Sequence, residues 1–72
     1  MLHFTDHAKD RMREREISKK EVQGCLENYQ VSYPNDDDDI MNYVYTYPDG
    51  RRIRVVVNEK RPDHKIVISV MD

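Results

Sequence analysis

The chain has 72 residues, 38% hydrophobic and 36% charged, with a net charge of −2 and a single cysteine. Such a length makes one small domain, 1–72, able to bury only about 60% of the surface its unfolded chain exposes. With no apolar run near the roughly 20 residues of a membrane span and no signal-peptide stretch at the start, a cytoplasmic protein without a membrane partner is expected, and the lone Cys25 excludes an internal disulfide or a cysteine metal cluster within one chain.

Thr5 or Asp6 can cap a first helix that ends near Glu16, with Ala8 and Met12 marking its apolar side. On the same helix His7, Arg11 and Arg15 recur every four residues, which at about 100° per residue confines them to a narrow sector beside that apolar side. Asp6, Asp10 and Glu14 form a second stripe of like sign, whereas a helix shaped only by its own stability prefers opposite charges at that spacing. Ser18 followed three residues later by Glu21 has the spacing of a capping box and opens a second helix through Val22, Cys25, Leu26 and Tyr29. Gly24 within it costs up to about 1 kcal/mol relative to alanine and would allow close packing against a neighbour.

Pro34, Asn35 and the acidic run Asp36 to Asp39 read as a loop. Without that run the net charge would be +2, and from Arg51 onward six Lys/Arg face three acids, so a local basic surface can coexist with an acidic total. The run lacks the alternating ligands and central glycine of an EF-hand loop and is expected to be solvated, free to touch a basic partner. "IMNYVYTY", a turn at Pro48 to Gly50 and "RRIRVVVNE" give a strong hairpin signal; a turn at "KRPDH" then leads to "KIVISVM". A short strand at Gln30 to Tyr33 would make a fourth. The order of helices followed by strands argues for an α+β fold, two N-terminal helices packed on a three- to four-stranded antiparallel sheet. Alternation places Ile53, Val55, Val57, Ile66, Ile68 and Val70 against the helices, and Arg52, Arg54, Val56, Lys65, Val67 and Ser69 on the other face.

The N-terminal "FTDHAKDRMREREISKKEVQGCLEN", a Tyr-Pro loop, "DGRRIRVVVNE" and the final "KIVISV" together resemble the small bacterial domains of domain-of-unknown-function family forty-two fifty-eight. The resemblance covers nearly the whole chain and is most specific at His7, Ala8, Arg11, Met12, Arg15, Ile17 and Ser18 and in the "DGRRIRVVV" strand. That family is similar to BrnT and, more distantly, to the RelE/ParE-like toxins. The resemblance implies two helices against an antiparallel sheet, as read above, and functional positions at His7, Arg11, Arg15, Arg54 and Ser69. RelE-like toxins cleave RNA, BrnT-like ones are ribonucleases held in check by an antitoxin, and other relatives have other targets.

Metal-independent RNA cleavage needs a proton taken from the 2′-hydroxyl, a proton given to the leaving 5′-oxygen, and stabilisation of charge on phosphorus. His7 suits the proton transfers, since an imidazole titrates near neutral pH, and Arg11, Arg15 and Arg54 suit the charge. Arg52 beside Arg54 and a hydroxyl from Ser69 are candidate RNA contacts; Tyr45, between Tyr43 and Tyr47 on one strand face, stacks on a base or packs in the core. His64 is a second proton carrier or a solvated turn residue. His3 and His7 have the separation of a zinc pair, but the cap at Thr5 leaves His3 outside the helix with no third ligand evident, so neither metal nor cofactor is expected. The alternative for the stripe is structural: alkyl stems along the core edge, with the charges paired to acids.

Two functions follow. One is a toxin-type ribonuclease acting on single-stranded or ribosome-bound RNA, with an antitoxin as partner and a homo-oligomer allowed. The other is a non-catalytic module of the same fold that binds a partner protein. The enzyme requires His7, Arg11, Arg15 and Arg54 to converge on one groove; arginines closed onto nearby acids favour the module.

Overall fold

A computed structural model describes residues 2–36 and 39–72. Its elements in chain order are β1 (Leu2–Phe4), α1 (Asp6–Glu14), α2 (Lys19–Asn28), β2 (Val31–Pro34), β3 (Ile40–Thr46), β4 (Arg52–Asn58) and β5 (Lys65–Met71). The class is α+β with two helices, but the sheet is mixed and has five strands in the order β1-β5-β4-β3-β2, which corrects the expectation of three or four antiparallel ones. The added strand is β1, parallel to β5 through Leu2↔Lys65 to Phe4↔Val67. Three residues are too few for alternation to show in a sequence. Among the described residues no helix is long and apolar enough to cross a membrane.

Local chemistry sets both helices. Thr5 caps α1 by accepting from the Ala8 N–H at 3.1 Å, and its hydroxyl donates to the Ile68 carbonyl at 3.0 Å, so one side chain starts the helix and ties it to β5. The far end closes with Ile17 N–H on Met12 O (2.8 Å) and Glu16 N–H on Arg13 O (3.3 Å), a Schellman pair that holds Glu16 at φ 56°. Ser18 and Glu21 form the capping box of α2. A Cβ built on Gly24 would meet nothing within 4 Å, so the glycine permits no close approach.

The helices cover one face of the sheet, α1 over β5 and α2 over β3 and β4. Ala8, Met12, Ile17, Val22 and Cys25 meet Ile53, Val55, Val57, Val67 and Val70 there, with Tyr43, Tyr45 and Tyr47 packed at the margin. Fully burying a valine or isoleucine side chain stabilises the fold by about 1.5–3 kcal/mol, so this small cluster carries much of the stability. Strand β4 alternates as expected. In β5 a bulge shifts the phase: Val56 pairs with Ser69 but Val57 with Val67, leaving Ile68 as the extra residue. Val67 and Val70 therefore both enter the core, where Ile66 and Ile68 were expected with Val70, and Lys65, in phase with Val67, pairs with Glu59 at 3.2 Å. Ser69 keeps its place on the open face.

The acidic loop falls partly outside the described residues, at 37 and 38; on either side of it Asn35 N–H bonds Ile40 O at 2.9 Å and Glu59 N–H bonds Asp39 O at 2.7 Å. The expected turn at Pro48 to Gly50 is present, with Gly50 at φ 94°.

Candidate functional site

The sheet face away from the helices is not flat. Val56 and Asn42 on it are 7% and 2% exposed, and a cleft of about 640 Å³ opens beside them. Its floor is Val31 of β2 and Val44 of β3, paired in register; Arg52 and Arg54 rise from β4, Tyr33 from β2, and Arg15 enters from the C-cap of α1. Gln30, Thr46, Met71 and Asp72 complete the wall.

Register places these groups. Arg54 is flanked by Met71 of β5 on one side and by Val44 of β3 on the other, and Val44 pairs with Val31, so Arg54 stands on the open face between β5 and the cleft floor. There its Nη1 donates to Tyr33 Oη at 3.1 Å, and its Nη2 sits 2.8 Å from Met71 Sδ. Arg52, two residues earlier on the same face, pairs with Thr46, whose N–H is held by Gln30 Oε1 at 3.0 Å. Arg15 Nη1 meets Asp72 Oδ1 at 2.5 Å. Three guanidiniums and one carboxylate leave the lining net positive in a chain whose total charge is negative. Such donors hold oxyanions, with a phenol and an apolar floor beside them for an aromatic or ribose surface.

Of the residues singled out from the sequence, Arg15, Arg52 and Arg54 meet in this cleft. His7 does not: it lies exposed in the first turn of α1, about 12 Å along the helix axis from Arg15 at 1.5 Å per residue. Arg11 pairs with Glu14 at 3.4 Å, and Arg13 with Asp10 at 3.8 Å, so part of the helix's charge is satisfied within the helix. Tyr45 is on the helix-covered face, edge-on to Tyr47 with ring centroids 5.0 Å apart. Ser69 shares the open face, opposite Val56, but does not line the cleft. His64 precedes β5, about 20 Å of strand from Met71, and packs on the His3 ring at 4.0 Å.

Tyr33, Gln30 and Asp72 are the site residues that sequence reasoning missed. Val31 and Tyr33 alternate in the short strand expected at Gln30 to Tyr33, but their alignment with Arg54 depends on pairing that no local pattern records.

Two helices on one face of a mixed sheet and an arginine-lined cleft on the other define a small α+β protein with a candidate oxyanion site. The chain belongs to the family described as domain of unknown function (DUF4258), whose model matches residues 4–72. No curated protein and no solved structure matches the chain.

Proposed function

We propose that the protein binds RNA through phosphates held by Arg15, Arg52 and Arg54, and cleaves it as a toxin-type, metal-independent endoribonuclease kept in check by an antitoxin protein. The observation that supports this reading is the meeting of three guanidiniums, from α1 and β4, in one cleft with the Tyr33 phenol 3.1 Å from Arg54. The cleft's size, about 640 Å³, is in the range that holds small organic ligands, enough for a nucleotide. The resemblance to BrnT and the RelE/ParE-like toxins supplies the reaction class.

In that reaction the 2′-oxygen attacks the adjacent phosphorus, the bond from phosphorus to the 5′-oxygen breaks, and a 2′,3′-cyclic phosphate forms. The 2′-hydroxyl proton leaves to a base, the departing 5′-oxygen gains one, and arginines balance the charge that gathers on the phosphoryl oxygens. Among the described residues lining the cleft, Tyr33 and Asp72 are the side chains beside the arginines that can carry a proton; His7 and His64 lie elsewhere. The test is cleavage of mixed RNA, with and without translating ribosomes, by wild type and by Arg54→Ala, Tyr33→Phe and His7→Ala variants with folding checked by circular dichroism. Arg54→Ala is expected to lower cleavage by about a hundredfold or more, as loss of a transition-state donor does, with His7→Ala close to wild type. Wild-type protein that is folded and inactive in both settings ends the enzyme reading.

A second reading, a non-catalytic module, is favoured by two observations: His7 and Arg11 stay outside the cleft, so the four expected residues do not converge, and Arg11 and Arg15 close onto Glu14 and Asp72. Val31 and Tyr33, 54% and 39% exposed on the cleft side of the β2 edge, and Tyr29, 45% exposed on the helix side against Tyr43, wrap that edge with apolar surface suited to a partner protein. A non-catalytic module would use it without binding RNA, and the same assay, extended to RNA binding, separates the two.

A further inference from the structure

Arg15 enters the cleft already engaged. Its Nη1 is held by Asp72, 57 residues away in sequence, while its Nε is buried without a hydrogen-bond partner. Among the described residues lining the cleft, Asp72 is the only acid. A guanidinium presents its donors as a planar fork that suits two oxygens of one oxyanion, carboxylate or phosphate alike. Here Asp72 holds one arm of the outer fork, at Nη1.

We propose that Asp72 is an internal anion that occupies Arg15 in the free protein and is displaced by a phosphate of the bound strand; this rests on the RNA reading of the cleft. The side chains of the pair are 34% and 43% exposed, so it is solvent-screened and exchangeable, unlike a buried pair whose rupture strands a charge. Being intramolecular, the carboxylate competes at high effective concentration. A lone phosphate that meets only Arg15 loses that competition. A strand whose neighbouring phosphates also engage Arg52 and Arg54 wins it. The pair thus selects a polyanionic strand over single phosphates and mononucleotides.

The test is binding of a fluorescent, mixed-sequence single-stranded oligoribonucleotide at low salt. The proteins compared are wild type, Arg54→Ala, Asp72→Asn, Arg15→Ala, the Arg15→Ala/Asp72→Asn double variant, and Glu27→Gln. The last makes the same change in net charge at an exposed site on α2. Asn at 72 can still accept a hydrogen bond from Arg15, so the end of α1 stays tethered and the melting temperature serves as control. Arg54→Ala is expected to weaken binding. Asp72→Asn is expected to tighten it about three- to fivefold beyond Glu27→Gln, with the gain absent when Arg15 is alanine. If Arg54→Ala weakens binding but Asp72→Asn matches Glu27→Gln, or keeps its gain without Arg15, the displacement is overturned and the cleft remains the RNA site. Binding indifferent to Arg54→Ala overturns the RNA reading of the cleft, and the displacement with it.

Discussion

Arg15 and Arg11 sit one helical turn apart on the same stripe and have different fates. Arg11 pairs with Glu14 on its own helix, whereas Arg15 at the C-cap extends past the helix end to Asp72 and the sheet's open face. The periodicity groups the two, and only the point where α1 stops separates them. The Cys25 thiol in the core and the half-buried Tyr43 phenol give a second residue-scale consequence. Burial pushes the Cys25 thiol from 9.0 up to about 11, and burial, followed by the Glu59 carboxylate, raises the Tyr43 phenol. A group whose folded pKa is raised contributes stability that is complete below its unfolded value and lost as pH rises through the folded one. Urea unfolding midpoints are therefore expected to hold up to pH 9 and to fall between pH 9 and about 11, with Cys25→Ala flattening part of the fall. An equal fall in that variant would assign the loss to other groups.

At the scale of elements, the parts legible in the sequence are those whose causes are local. The capping box at Ser18 and Glu21, the cap at Thr5, the hairpin turn through Gly50 and the alternation of β4 all arise from interactions within a few residues. The α1–α2 junction is local too, yet it carries a residue that conflicts with its geometry: Glu16 occupies the left-handed C′ position that glycine fills without steric cost. Glu16→Gly is expected to stabilise the protein by about 0.5–1 kcal/mol, read as a higher midpoint in thermal melts, since relief of the left-handed strain exceeds the added freedom of the unfolded chain. A lower midpoint would mean that the Glu16 side chain contributes more than its backbone costs. Strand β5 is where local reasoning failed, because the bulge at Ile68 is a property of the β4–β5 pair and reverses the phase of Lys65 to Val67.

For the whole molecule, the edge of the sheet at β2 is as consequential as the cleft behind it. Asn35 bonds Ile40, which places Tyr33 and Val31 in the hydrogen-bonded positions opposite β3 and turns the backbone of Ser32 and Pro34 outward. Proline there presents no donor to a passing strand, so an edge with three exposed large apolar side chains is protected against pairing. Pro34→Thr adds an outward N–H and is expected to raise the concentration-dependent association measured by sedimentation, relative to wild type; unchanged sedimentation would show that Pro34 does not guard the edge. The sequence by itself determined the class, the two capped helices, the β3–β4 hairpin and the richness of β4 in arginine, because propensity, capping and turn chemistry act over a few residues. The tertiary structure alone decided that β1 joins β5, that Val67 replaces Ile66 and Ile68 in the core, and that Tyr33 and Asp72 rather than His7 stand beside Arg15 and Arg54. Those outcomes depend on strand register and on where α1 ends against the sheet, long-range matches for which no short stretch of chain carries a signal.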